Sequence, residues 1–191
     1  VSEPLVLGFD TSAAHCAAAL LCGDRVLVAR AEDMGRGQAE RLMPLLEEVL
    51  AEGAAHWGDL TRIGVGIGPG NFTGIRISVA AARGLALSLG IPAIGISTLE
   101  AIRAGNECGT PCVPAPRGQG YVKRAGHAPD LVAMADIADA VLPPAPAHLA
   151  ERIALLAARA PGNGPSPAPL YVRPADAAPA RDAPPVILDD A

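Results

Sequence analysis

The chain has 191 residues and a mass of 19.3 kDa, and Ala (39), Gly (21) and Pro (19) fill 79 of its positions. That length supports one large domain or two small lobes, and a composition half hydrophobic argues against a disordered chain. With 15 Lys+Arg against 20 Asp+Glu the net charge is -5, no stretch gathers the basic cluster that a phosphate backbone needs, and five scattered aromatics give no base-stacking platform. A stand-alone nucleic-acid binder is therefore disfavoured.

No apolar run reaches the length of a bilayer span, and Val1-Ser2-Glu3-Pro4 supplies no basic n-region. The expectation is a soluble, cytoplasmic protein without membrane attachment. Cys16, Cys22, Cys108 and Cys112 lack the C-x2-C knuckles of structural zinc, so they read as free thiols.

In chain order, Leu5 to Phe9 reads as a buried strand, and Cys16 to Leu21 and Arg25 to Ala31 follow as strands joined by a Gly23-Asp24 turn. These make an antiparallel meander. Gln38 to Glu52 carries Leu42, Leu45, Leu46, Val49 and Leu50 at helical spacing, with Pro44 expected in an early turn or at a kink. Arg62 to Ile67 is a strand, Gly68 to Gly74 a glycine loop, and Ile75 to Leu89 a helix stopped by Gly90 and Pro92. That helix keeps only Arg76, Ser78, Arg83 and Ser88 polar, which predicts burial on more than one side. Ala93 to Ile96 and Ser97 to Ala104 complete a strand and a helix.

Four prolines precede residue 110 and fifteen follow it, so a lobe boundary is expected near Gly105 to Pro111. The organisation is a lobe over 1–105, a shortened α/β lobe over 106–173 and a Pro-rich tail over 174–191. Beyond the boundary the expected elements are a strand around Gly120 to Arg124, helices over Met134 to Val141 and Ala147 to Ala160, a linker over Pro161 to Pro169 and a short strand over Leu170 to Arg173. A meander followed by crossover units implies α/β architecture with mixed sheets.

The loop Gly68-Pro69-Gly70-Asn71-Phe72-Thr73-Gly74 joins a strand to a helix, a geometry that offers backbone N–H groups to an anion. It lacks the Gly-Lys-Ser/Thr of a P-loop, and Lys123 is the only lysine in the chain, so a Walker-type ATPase is excluded. On its residues alone the loop reads first as structural, with glycines for positive φ and close approach and Asn71 or Thr73 as a helix cap. Asp10, Thr11 and Ser12 present a carboxylate and two hydroxyls at a strand end, suited to a phosphate contact or to an Asx-type turn. Asp10, Ser12 and His15 are expected to be too close on an extended segment to converge as a hydrolase triad. No H-E-x-x-H or H-x-x-x-H pair exists, so no metal site is expected.

The strand Leu5 to Ser12, the helix Gln38 to Leu46, Gly68 to Ile77 and Ala82 to Ala86 together resemble the TsaB (YeaZ) family, and the resemblance recurs at Arg117 to Tyr121 and Pro169 to Ala177. The family usually has Ser where Asn71 stands, and Pro114-Ala-Pro-Arg117 stands where it commonly has an Asp-Ala-Arg stretch. The resemblance implies an actin/Hsp70/sugar-kinase-like (ASKHA) fold of two related lobes, the second shortened here. It implies no catalytic residue, a vestigial nucleotide or phosphate contact at Asp10, Thr11 and Ser12, and no cofactor on this chain. ATP and metal are expected on a TsaD-like catalytic paralogue. The implied role is a non-catalytic partner in forming N6-threonylcarbamoyladenosine at position 37 of tRNAs reading ANN codons, beside a TsaE-like ATPase and a threonylcarbamoyl-adenylate synthase, with tRNA met only through the complex. Leu42, Leu46, Leu50, Ile75, Val79, Ala82, Leu85 and Leu89 are the expected partner interface, shared with a second copy of the chain when the partner is absent. An ATP-dependent small-molecule kinase of the same superfold and a glycoprotease-like metallopeptidase are the alternatives.

Overall fold

The computed structural model describes residues 3–106 and 108–172. Strands β1 (Leu5–Asp10), β2 (His15–Cys22) and β3 (Arg25–Asp33) form the expected antiparallel meander, turned between β2 and β3 at Gly23, whose φ is 59°. Strands β4 (Arg62–Gly66) and β5 (Ala93–Ile96) join in parallel, giving a five-stranded sheet in the order β3-β2-β1-β4-β5.

The alternation of side chains along each strand divides the core into two faces. Leu7, Phe9, Leu20, Ile63 and Val65 face helices α1 (Gln38–Glu52) and α2 (Phe72–Leu89). Helix α1 buries the five residues its spacing selects, each worth roughly 1.5–3 kcal/mol, and Pro44 lies on its exposed side. Arg41 joins the helix to β3 by an ion pair with Glu32 and pairs with Glu48 within the helix.

The opposite face is built of small residues. Val6, Ala17, Ala19 and Leu21 meet Ala150, Ala154 and Ala157 of helix α4 (Pro146–Arg159). The approach is close enough that a Cβ on Gly8 would lie 2.6 Å from the Ala154 Cβ, and one on Gly64 would lie 2.8 Å from the Ala157 Cβ. Glycine inside these two strands thus marks close helix-to-sheet contact. Although α4 follows the expected boundary at 105, it packs on the first sheet; the division of the chain at that point remains our proposal.

The second half departs from the sequence reading. Strand β6 (Thr110–Ala115) was not expected, because Pro111 and Pro114 argue against a ladder; it pairs antiparallel with β7 (Gln119–Val122) and touches β9 (Ala140–Val141) in parallel over Thr110 and Pro111. With β8 (Asp130–Ala133) these make a four-stranded sheet in the order β8-β7-β6-β9. The helix expected over Met134 to Val141 is instead a single 3-10 turn at Met134–Asp136 followed by β9. Helix α3 (Thr98–Ala104) bridges toward this sheet, with Leu99 and Ile102 packed on Val113. Residues 170–172 form no strand, although the Leu170 N–H donates to the Ile67 carbonyl; Arg173 and the tail over 174–191 lie outside the described residues.

Helix α2 also corrects an expectation. It is long and apolar enough, by length and composition alone, to cross a bilayer. Its buried residues are confined to one stripe, Gly74, Ile75, Ser78, Val79 and Ala82, and Leu87 on the far side is 87% exposed.

Replacing Gly64 with Val should destabilise the protein by about 1–3 kcal/mol, since the added carbons meet the Ile153 carbonyl and the Ala157 methyl. The urea midpoint reads this directly, and Gly35→Ala, with open space around its Cβ, should leave it unmoved.

Candidate functional site

The carboxyl end of β1 runs into a bend over Ser12 to Ala14 and then into β2. At that junction Asp10, Thr11 and Ser12 are 0%, 0% and 3% exposed. The Ser12 N–H and hydroxyl donate to Asp10 Oδ2 at 3.0 and 2.9 Å, and His15 Nε2 donates to the same oxygen at 2.7 Å. Asp10, Ser12 and His15 therefore do converge, against expectation, because the bend folds the segment back. Asp10 stands at the centre of the cluster: the serine hydroxyl points to the carboxylate and not to the imidazole, so the base-to-nucleophile contact of a hydrolase triad is not formed.

The glycine loop closes over this turn. Thr11 Oγ1 donates to the Gly74 carbonyl at 2.7 Å, and the Asn71 N–H donates to the Ser12 carbonyl at 2.6 Å. Asn71 Oδ1 in turn accepts from the Gly74 N–H at 2.9 Å, so Asn71 is the N-cap, and α2 begins at Phe72, three residues before the expected start. A Cβ on Gly74 would sit 1.9 Å from the Thr11 carbonyl oxygen and one on Gly70 would sit 2.2 Å from that of Ser12. Both glycines are required by close approach; the left-handed conformation falls instead at Gly68, with φ of 92°. Gly66 likewise leaves space for Asp10 Oδ1, which is buried without a hydrogen-bond partner among the described residues.

Beside the turn lies a cleft of about 530 Å³ between the two sheets. Its polar lining is Ser12, His15, Asn71, Thr98 and Tyr121, and Pro114, Pro116, Pro143 and Pro144 form much of the rest. Among the described residues its wall carries no lysine, arginine or carboxylate. The resemblance implies vestigial nucleotide or phosphate contacts at Asp10, Thr11 and Ser12. The residues present do not fit them: the loop amides of Asn71 and Gly74 are already bonded, and the Asp10 carboxylate is sealed beneath Gly66. Nor do the described residues contain a group of three His, Cys, Asp or Glu able to hold a metal ion.

The expected interface residues are mostly interior. Leu42, Leu46, Leu50, Ile75, Val79 and Ala82 are at most 4% exposed and face the protein's own sheet, because the apolar stripe of each helix is spent on the core; Leu85 and Leu89 are half-buried. What the helix pair leaves open is Met43, Phe72 and Leu87. Phe72, inside the expected structural loop, stacks on Tyr171 with centroids 4.8 Å apart and lies under the Arg76 guanidinium, an arrangement that sequence spacing does not reveal.

Two mixed sheets with helices on both faces of the first, and a strand-end turn clasped by a glycine loop, define an α/β protein of the actin/Hsp70/sugar-kinase-like class. A solved Pseudomonas aeruginosa structure, of a protein described as similar to peptidase YeaZ, superposes with a TM-score of 0.71 over 89% of this chain and 100% of that one, at 23% identity. YeaZ from the same organism gives 0.60 at 25% identity, covering 71% and 69%. The TsaD family model, described as tRNA N6-adenosine threonylcarbamoyltransferase, matches residues 32–128. The tRNA threonylcarbamoyladenosine biosynthesis protein TsaB of Escherichia coli is 35% identical over 100 residues, 52% of this chain and 43% of that one; TsaB of Bacillus subtilis is 35% identical over 120 residues, 61% and 52%. The chain belongs to the TsaB/YeaZ family. It spans about half the length of the curated relatives it matches.

Gly74→Val should lower the melting temperature by several degrees, through the Thr11 carbonyl, and Thr11→Val should cost about 0.5–1.5 kcal/mol by removing the buried hydroxyl bond to the Gly74 carbonyl. Both are read by thermal and urea denaturation.

Burial, with Glu32 nearby, pushes the Cys16 thiol up to about 11, and burial also raises that of Cys112. At pH 8 both remain protonated and unreactive, whereas Cys108 is exposed. Thiol titration of the native protein should label Cys108 promptly and reach Cys16 and Cys112 only in denaturant.

Proposed function

We propose that the chain is a non-catalytic partner of a TsaD-like subunit in forming N6-threonylcarbamoyladenosine at position 37 of tRNAs reading ANN codons, acting in the cytoplasm. The observation that carries this reading is the closed turn: Thr11 spends its hydroxyl on the glycine loop, Ser12 and His15 both donate to Asp10 Oδ2, and the described wall of the adjoining cleft offers no lysine or arginine to a phosphate. A site wired in this way holds the strand end and the start of α2 in place and leaves nothing poised for chemistry. The relatives' names supply the pathway, and the TsaE-like ATPase and the adenylate-forming synthase belong to the same proposal.

The partner surface is the outer side of the α1 and α2 pair. Met43 and Phe72 are each 37% exposed there and Leu87 is 87% exposed, an apolar set of the sort that protein contacts cover. In the absence of the partner, a second copy of the chain competes for the same face.

Co-expression with a TsaD-like protein should give a stable complex that restores the modified nucleoside to tRNA, while the chain alone shows neither ATP turnover nor stoichiometric metal. Met43→Arg and Leu87→Arg should each weaken capture at least about tenfold while leaving the circular dichroism spectrum intact, because an unpaired charge is driven into the contact. Undiminished capture by both variants would move the interface elsewhere, and turnover by the isolated chain that vanishes in Asp10→Asn would overturn the non-catalytic reading.

A further inference from the structure

The fold assembles a basic groove from residues that the sequence scatters. Arg103 on α3, with Lys123 and Arg124 in the segment after β7, wall a groove of about 460 Å³ floored by Leu99, Pro111 and Leu156. Among the described residues neither Lys123 nor Arg124 has an ion-pair partner, in contrast to Arg30, Arg41 and Arg159, which all do. Arg152 lies at the margin, with its guanidinium against Gly105 and bonded to the Ala101 carbonyl. The acidic side chain in the lining is Glu100, and its carboxylate already accepts from the Ser97 N–H and hydroxyl at 2.9 and 2.7 Å. On a chain of net charge -5, Lys123 and Arg124 thus bring to one groove two positive charges without an ion-pair partner among the described residues.

We propose that this groove is a phosphodiester contact surface, through which the chain helps to hold RNA on the assembled complex; the inference rests on the partner reading above. The chemistry selects the ligand. Two cations without ion-pair partners, Lys123 and Arg124, in one groove match backbone phosphates, and a lining without aromatic residues offers no base-stacking, so the contact positions RNA and does not read its sequence. The groove is formed by α3, α4 and the β7 segment, whereas the open apolar residues Met43, Phe72 and Leu87 belong to α1 and α2, so one chain can meet a protein and an RNA at once.

The test is a salt titration of tRNA binding by the assembled complex, comparing wild type with Lys123→Gln/Arg124→Gln and with Arg25→Gln on the exposed start of β3 as control. Sedimentation scores assembly separately. The double variant should assemble normally, bind tRNA roughly tenfold more weakly at 0.1 M salt, and lose about two from the slope of log K against log salt, while the control matches wild type. Wild-type affinity and slope in the double variant overturn the groove and leave the partner reading standing. Loss of assembly with unchanged RNA affinity also overturns it, since the groove would then serve an acidic protein surface. If the wild-type chain does not assemble, the partner reading falls, and the same variants compared on the chain alone decide the groove by the same slope.

Discussion

The described architecture depends on two backbones lying almost in contact. Where the glycine loop crosses the turn after β1, the positions of residues 70 and 74 admit no Cβ, because the carbonyls of Ser12 and Thr11 occupy that space. This closeness allows one hydroxyl, that of Thr11, and one amide, that of Asn71, to tie the end of the first strand to the start of α2 across about sixty residues of chain. In a water-poor site such bonds hold their geometry because breaking them leaves buried groups unpaired. The cleft inherits its shape from the same junction, with the loop as one wall and the bend as its base.

The same economy of side-chain volume governs the other face of the sheet. Alanines and two strand glycines let α4 settle on β1, β2 and β4, so the alanine-rich composition is the means by which a short chain covers both sides of five strands. Few large side chains are left for the second sheet, which is held to the first largely by α3, through Leu99 and Ile102 on Val113.

The first half of the chain was legible because its signals are local and agree with one another: alternating strands, a Gly-Asp turn, a strongly amphipathic α1 and a capped glycine loop. What failed there was long-range or depended on a bend. Nothing in the spacing of Asp10, Ser12 and His15 states that the backbone doubles back between them, and the near-uniform apolarity of α2 hid which stripe faces the sheet. In the second half, Pro111 and Pro114 masked β6, whose partners supply the ladder around them, and the apolar residues of 134–141 fitted a helix as well as a turn followed by a strand. The basic groove was invisible for a different reason, since Arg103, Lys123 and Arg124 become neighbours only once α3 and β7 are both in place.

Helix α4 carries a consequence for how the chain acquires its shape. The strands it covers are complete by residue 96, yet their cover arrives only with residues 146–159. During synthesis the alanine face of the sheet therefore emerges well before the element that shields it, and the contact between residues 8 and 154 closes one of the longest loops in the protein. The interval in which that face stands open is the period when a nascent chain is most exposed to chaperones or to association with its own copies. A small-residue surface shortens the hazard, because it presents less apolar area per strand than the leucine-rich face on the other side.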